Sequence, residues 1–227
     1  MVNFDEIINC GIAFYDEMTN DGNHRYLSWE HCHEAFRSCR FKRDHETIDY
    51  LSLHLSWYLA SWGMLRNSFL MQKDYKIHSP IVQLILDKEW EDLWDITPQR
   101  MAQKEYAAKI IKLSETISKE YTNNTGGVPT DTLLTKILLG TLGCVPAYDR
   151  YFKRALSVTK VACGSFNVKS IMKLGSVYLD HREKFEECRS HCSNHITYPP
   201  AKIIDMCLFE YGLQIENKRG KDDDIVV

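Results

Sequence analysis

The stretch YLSLHLSWYLASWGML, residues 50–65, runs for sixteen positions without a formal charge and is bounded by Asp49 and Arg66. A membrane-spanning helix needs about 20 consecutive, predominantly apolar residues. This stretch is shorter than that, and it also contains His54 and three serines. It therefore predicts a central helix, buried on most sides, that begins near Thr47 and runs to about Met71.

The composition around this stretch is that of a globular protein. The chain has 227 residues, of which 44% are hydrophobic, and this is enough to bury a sizeable core. With only 11 glycines and 6 prolines, the chain cannot be collagen-like and is unlike a turn-rich all-β protein. The formal charge of −3 excludes a globally basic nucleic-acid binder, although local basic patches remain compatible with it.

Signals for the start of a helix recur along the whole chain. Polar N-cap residues or proline at a first helical position precede apolar patterns of helical period. These signals occur at Asn3, Ser28, Thr47, Ser79-Pro80, Thr97-Pro98, Thr130, Asn167 and Pro199-Pro200. No alternating apolar run is long enough for a strand, so we predict an all-α fold of about eight or nine helices.

The clearest loop in the sequence is TNNTGGVP, residues 122–129. It predicts two helical lobes with a cleft between them, over residues 1–122 and 130–212, followed by a polar tail over residues 213–227. One continuous domain across the loop fits the same pattern equally well.

The thiols and histidines bear on compartment and on metal binding. The first residues are acidic and resemble no secretory signal, so we expect a cytoplasmic protein with reduced cysteines and no membrane partner. One group near the C-terminal end has metal-ligand chemistry: His181, Cys188, His191, Cys192 and His195. Ligands spread along one helix are too far apart for a single tetrahedral ion, so we predict buried thiols and solvated histidines instead. Since nucleotide-cofactor motifs are also missing, we predict no metal and no cofactor.

Residues 133–152 carry the most specific pattern in the chain. They read LLTKILLGTLGCVPAYDRYF, which predicts an apolar helix, a glycine-containing turn, a proline and a second helix beginning at Tyr148-Asp149-Arg150. This helix–turn–Pro-x-x-Asp pattern resembles the second half of the helix-hairpin-helix DNA glycosylase fold. The resemblance implies that Asp149 supports attack at C1′ of a flipped nucleotide, and it assigns no role to Lys136. Residues 58–65 and 198–212 also resemble segments of uncharacterised bacterial all-helical proteins of similar size.

The chemistry of the residues is compatible with that role for Asp149. A carboxylate is stabilised at a helix N-terminus, and carboxylates stabilise oxocarbenium-like sugars. Aromatic side chains would stack on the flipped base. The residues assigned to this pocket are Tyr50, His54, Trp57, Trp62, Arg66 and His78.

Basic residues cluster locally in spite of the acidic total. Such clusters can follow a phosphate backbone. The candidates for nucleic-acid contacts are Arg37, Arg40, Arg43, Arg150, Lys153 and Arg154.

Two functions of different kinds follow from the sequence. The first is binding or processing of nucleic acid, with Asp149 as the catalytic carboxylate. It would lie in a cleft whose floor is formed by Trp57 or Trp62. The second is a non-enzymatic interaction or regulatory role, with a protein partner, in a bacterial defence or mobile-element system. In that case Asp149 would only cap a helix, and an apolar patch would lie exposed elsewhere.

Overall fold

The computed structural model describes residues 3–94, 96–193 and 196–223. Within these ranges all regular secondary structure is helical and there is no strand, which confirms the all-α prediction. The α-helices are α1 (Phe4–Asn20), α2 (Ser28–Cys39), α3 (His45–Ser61), α4 (Ser79–Ile85), α5 (Pro98–Met101), α6 (Lys104–Thr125), α7 (Asp131–Gly140), α8 (Arg150–Thr159), α9 (Val168–Asp180), α10 (Arg182–Cys192) and α11 (Pro200–Asp223). Single 3₁₀ turns occupy Arg25–Leu27, Phe69–Gln72, Tyr75–His78 and Lys88–Leu93.

The predicted count of eight or nine helices is too low, because two of the predicted helix starts, Thr97-Pro98 and Asn167, are each followed by two helices; the helix predicted from Thr47 is also shorter than expected. The helix predicted from Thr47 to Met71 ends at Ser61 and is followed by Gly63 at a φ of +75°. Extended backbone at Gln103 separates α5 from α6. At His181, where α9 ends, the imidazole stacks on Phe4 of α1 with 3.6 Å between ring centroids.

The most deeply buried helix is α7 rather than α3. Every residue of α7 from Leu133 to Gly140 is buried, and the helix contacts α2, α3 and α6. The indole N–H of Trp29 in α2 donates a hydrogen bond to the carbonyl of Leu139 at 3.0 Å. In contrast, α3 leaves one face in solvent, where Trp57 is 66% exposed. The prediction of a central helix buried on most sides over residues 50–65 is therefore wrong.

The C-terminal helix α11 packs against α1 and α8. Buried side chains on both sides of the loop at residues 126–129 belong to one hydrophobic cluster, from Ile7 in α1 to Phe209 in α11. The division into two lobes stays a prediction. None of the helices in the described ranges has the length and apolarity needed to cross a bilayer.

Candidate functional site

A cavity of about 380 Å³ opens where α3, α7, α8 and α11 meet. Its charged and aromatic lining consists of Arg25, Tyr26, Trp62, Arg66, Lys136, Asp149, Arg150, Tyr151 and Phe209. Four of these side chains are cationic, four are aromatic and one is a carboxylate. An anionic ligand with a flat ring would find both positive charge and aromatic contacts in this cavity.

The carboxylate of the cavity belongs to Asp149, which is held from two directions. Oδ1 accepts a hydrogen bond from the backbone N–H of Phe152 at 3.0 Å, so Asp149 is the N-cap of α8. Oδ2 accepts from the Lys136 ammonium at 2.9 Å. The sequence-derived alternatives, a helix cap or a residue facing a cleft, are thus combined in one side chain.

The segment that carries Asp149 is fixed to α7 by two threonines. The hydroxyl of Thr132 donates to the carbonyl of Tyr148 at 3.0 Å. The Thr135 hydroxyl oxygen accepts from the backbone N–H of the same residue, Tyr148, at 2.9 Å. These bonds satisfy backbone groups in a stretch without helical hydrogen bonds, and they hold Asp149 rigidly opposite Lys136.

Lys136 is the site residue that sequence reasoning left without a role. Its side chain is only 2% exposed, and its Nζ lies 4.0 Å from the centroid of the Trp62 ring. A buried ammonium is costly unless it is paired, and here the carboxylate of Asp149 and the ring face provide the pairing. The available signal was a single lysine in the apolar run LLTKILLG, residues 133–140.

A second lysine–aspartate pair lies against the same tryptophan ring. In α11 the ammonium of Lys202 donates to Asp205 Oδ2 at 3.2 Å, and Asp205 Oδ1 accepts from the backbone N–H of Ala147 at 2.9 Å. Lys202 Nζ is 5.2 Å from the Trp62 centroid. Burial lowers the pKa of Lys202, and the charge of Lys136 lowers it further.

The aromatic wall of the cavity is built from stacked and edge-on rings. Tyr26 stacks on Trp62 with 4.3 Å between centroids and 23° between planes. Phe209 meets Trp62 edge-on at 5.7 Å and Tyr151 edge-on at 5.4 Å. Trp62 therefore carries Tyr26 on one face and has the Lys136 ammonium 4.0 Å from its centroid, so the wall offers a ligand apolar contact at the ring edges.

Of the pocket residues predicted from sequence, Trp62 and Arg66 line this cavity. Tyr50, His54 and Trp57 do not line it, because they lie along the outer face of α3, where Tyr50 and Trp57 are exposed. Partial burial and then the nearby His31 lower the pKa of His54.

His78, also assigned to the pocket, lies away from the cavity in the core. Its Nδ1 is 2.6 Å from the hydroxyl of Tyr121. Burial lowers the pKa of His78 to about 4.

Of the predicted nucleic-acid contacts on α8, only Arg150 lines the cavity. Its guanidinium lies over the Tyr151 ring, 4.6 Å from the centroid, and its Nε is 3.8 Å from Glu216. Arg154 Nε is 4.0 Å from the same carboxylate, and Lys153 is half-buried elsewhere on the helix.

The second predicted basic group lies at the end of α2 and does not reach the cavity. Arg43 donates hydrogen bonds to the carbonyls of Arg40 and Leu86, so it closes the turn between α2 and α3. Arg40 lies over the ring of Phe41 at 4.7 Å, and Arg37 belongs to the last turn of α2. The structure therefore separates Arg37, Arg40 and Arg43 from Asp149.

The histidine and cysteine group is spread over separate contacts. Cys188 Sγ lies 4.0 Å from Cys192 Sγ and 3.8 Å from Cys207 Sγ, whereas the imidazole of His191 contacts Asp16 at 2.7 Å. His195 lies outside the described residues. Among the residues that are described, no three His, Cys, Asp or Glu side chains are arranged to hold a metal ion.

Comparison with family models, with curated proteins and with solved structures finds no match for this chain. What the cavity can do therefore has to be argued from its own geometry and chemistry.

Proposed function

We propose that this protein binds nucleic acid and releases a base from it, with Asp149 as the catalytic carboxylate. The observation that carries the proposal is the position of Asp149 in the cavity, beside an aromatic wall and among four cationic side chains. A carboxylate that served only as a helix cap would need none of these neighbours.

The charges of the lining favour a phosphate-bearing ligand. Arg25, Arg66 and Arg150 stand with Lys136 against the single carboxylate of Asp149. Arginine binds phosphate oxygens through its planar fork of donors. The ion pair with Lys136 keeps the only carboxylate of the lining from repelling an anionic backbone.

The aromatic wall favours a flat ring turned out of its stack. Enzymes that act on a base extrude it into a pocket and stack it between aromatic side chains. Trp62, Tyr26 and Tyr151 provide aromatic contact for such a ring on one side of the cavity. The volume of about 380 Å³ is within the ordinary range for sites that enclose small molecules.

The reaction assigned to the site is cleavage of the N-glycosidic bond. The base leaves with the bonding electrons and takes a proton from solvent, while positive charge develops at C1′ and is stabilised by the Asp149 carboxylate. An oxygen lone pair of water then forms the new bond to C1′, and the water passes a proton to solvent. The Lys136 amine, once its ammonium has given a proton to solvent, can replace water as the nucleophile; the C1′–O4′ bond of the sugar then breaks, O4′ takes the proton from the lysine nitrogen, and an imine is left between Lys136 and C1′.

The test is base release from oligonucleotides that carry single damaged bases, measured by chromatography. Asp149→Asn should abolish release, since asparagine still caps α8 but has no negative charge to stabilise C1′. Asp131→Asn, at the exposed start of α7, is the matched control and should retain release. Release that is equal in wild type and Asp149→Asn would refute the proposal.

Treatment with borohydride during the reaction identifies the nucleophile. Attack by Lys136 gives an imine that borohydride reduces to a stable covalent adduct, and Lys136→Met should remove that adduct. Base release without any adduct assigns the attack to water and leaves Lys136 as the residue that positions Asp149.

A second candidate function rests on the outer face of α3. Tyr50, Leu53 and Trp57 are spaced on one side of the helix and are 48%, 53% and 66% exposed. A contiguous apolar surface of this kind favours a protein partner. Sedimentation of the wild type and of Trp57→Ser would test self-association through this face, which should weaken in the variant if the face is an interface.

A further inference from the structure

A second cavity adjoins the Asp149 cavity. It has a volume of about 390 Å³ and lies between the loop after α3 and the start of α7. Three residues, Met64, Arg66 and Thr132, line both cavities. The two hollows are therefore neighbours along one groove, and Arg66 stands at the boundary between them.

Arg66 is placed by the turn that ends α3. Gly63 has a φ of +75°, and a Cβ added to it would lie 3.5 Å from Nη2 and 3.7 Å from Nε of Arg66. The guanidinium thus folds back over the glycine instead of extending into solvent. Within the described ranges, no hydrogen bond or ion pair engages the Arg66 guanidinium, so its donors are available to a ligand.

Among the described residues that line it, the second cavity has neutral donors and no carboxylate. The hydroxyl oxygens of Ser68 and Thr130 accept hydrogen bonds from the backbone N–H groups of Leu70 and Leu133. Each hydroxyl therefore keeps its own proton for another acceptor. The amide of Asn67 also lines the cavity and adds further donors.

The floor of the second cavity is fixed by close packing between two loops. A Cβ on Gly127 would lie only 2.5 Å from the Phe69 ring, so only glycine lets the loop before α7 contact the loop after α3 this closely. Phe69 in turn meets Tyr121 edge-on at 5.7 Å. The cavity is thus part of the packed structure and not a gap between loose segments.

We propose that the two cavities bind a polynucleotide across a phosphodiester held by Arg66. The reacting nucleotide lies over Asp149, and its neighbour along the strand lies in the second cavity among Asn67, Ser68 and Thr130. The inference rests on the proposed function and adds to it the substrate class: the ligand is a nucleic-acid strand of at least two nucleotides, not a free nucleoside.

The experiment is calorimetric titration of the wild type with thymidine, thymidine 5′-monophosphate, the thymidine dinucleotide with one phosphodiester, and a 12-residue oligothymidylate. The dinucleotide should bind about tenfold more tightly than the monophosphate, because only it reaches both cavities. Arg66→Gln should remove that difference. For Arg66→Gln with the oligothymidylate, the slope of log affinity against log salt concentration should be smaller than for the wild type by the amount expected for about one phosphate contact.

The matched control is Arg100→Gln, which removes an arginine that lies over Tyr106, outside both cavities. It should leave all four affinities as in the wild type. Equal binding of the monophosphate and the dinucleotide would overturn the inference, and so would an Arg66→Gln variant that still prefers the dinucleotide. The inference would also be overturned if inorganic phosphate bound as tightly as the dinucleotide, since that result would show an isolated anion site.

Failure of this inference is distinguishable from failure of the proposed function. Base release that depends on Asp149 but is indifferent to Arg66 would overturn the inference alone. Base release that persists in Asp149→Asn would remove the proposed function whatever the dinucleotide does.

Discussion

Two lysine–aspartate pairs lie on the same tryptophan, and they differ in what they face. Lys136–Asp149 joins two helices, and Asp149 keeps 12% of its side chain exposed in the cavity. Lys202–Asp205 lies within one helix, and both side chains are almost completely buried, at 3% and 2% exposed. Both pairs join a lysine ammonium to an aspartate carboxylate. Comparing them therefore separates the effect of complete burial from the effect of contact with the cavity.

The hydrogen bonds of the fully buried pair show that it supports a segment of backbone. Asp205 accepts from the backbone N–H of Ala147, which belongs to the extended stretch that leads to Asp149. The inner pair therefore supports the segment that positions the outer one. An internal salt bridge is not by itself a source of stability, but the loss of one partner leaves a costly charge behind.

The largest expected effect is the loss of the inner carboxylate. Asp205→Asn should lower the free energy of unfolding by about 3 to 5 kcal/mol, since Lys202 then stays buried without its counter-charge. Asp149→Asn should cost less, about 2 to 3 kcal/mol, because asparagine keeps the helix cap and the buried Lys136 ammonium keeps the Trp62 ring at 4.0 Å. Urea unfolding of both variants measures the difference.

Asp92→Ala is the control for this prediction, because it breaks the part-exposed pair with Lys109 and should cost at most about 1 kcal/mol. Equal losses for Asp205→Asn and Asp149→Asn would contradict the view that the two pairs differ in kind.

Acid unfolding would sharpen the comparison of the two pairs, provided that the contribution of His78 is separated first. The pKa of His78 is lowered from 6.5 to about 4 by burial, so the unfolded chain binds a proton more readily than the folded chain in that window. The contribution of His78 to the free energy of unfolding is fully present above pH 6.5. It decreases by up to about 3 kcal/mol as the pH falls to about 4.

His78→Gln should remove this part of the pH dependence of unfolding, since glutamine does not titrate. His45→Gln, which replaces an exposed histidine at the start of α3, is the control and should leave the wild-type slope between pH 6.5 and 4. An unchanged slope in His78→Gln would mean that other groups take up the proton on unfolding.

Local hydrogen bonds explain why many helix starts were predictable from sequence. Asn3, Thr97, Thr130 and Asn167 all accept from a backbone N–H two or three residues onward, as N-caps do. Ser28 was a wrong prediction, since it lies inside the first turn of α2 and its hydroxyl bonds to Ser61 instead. That bond joins residues far apart in the sequence, so no local sequence pattern predicts it.

The residues of the candidate site were predictable only where, as at the helix starts, the signal was local in the sequence. Asp149 was identified because its helix-start pattern is local, Trp62 because it is an aromatic residue of the long apolar stretch, and Arg66 because it follows that stretch. Lys136 was missed because its partner is thirteen residues away on another helix. Trp57 was misplaced because hydrophobicity alone does not tell which face of α3 points inward.

The smallest expected effect concerns the ring that the two pairs share. Trp62→Phe should lower the free energy of unfolding by about 1 kcal/mol, because phenylalanine has a weaker quadrupole for the two ammonium groups. No hydrogen bond is lost in the described part of the chain, where the buried indole N–H of Trp62 has no partner. Trp57→Phe, on the exposed face of α3, is the matched control and should cost less.

The decisive measurement is a pair of double-mutant cycles. The Lys136 ammonium lies 4.0 Å from the ring centroid and that of Lys202 lies 5.2 Å from it. Because the attraction falls with distance, Trp62→Phe should be coupled more strongly to Lys136→Met than to Lys202→Met, with a difference of about 0.5 kcal/mol. Stronger coupling to Lys202 would show that the ring serves the buried core, and it would weaken the case that Trp62 belongs to the site.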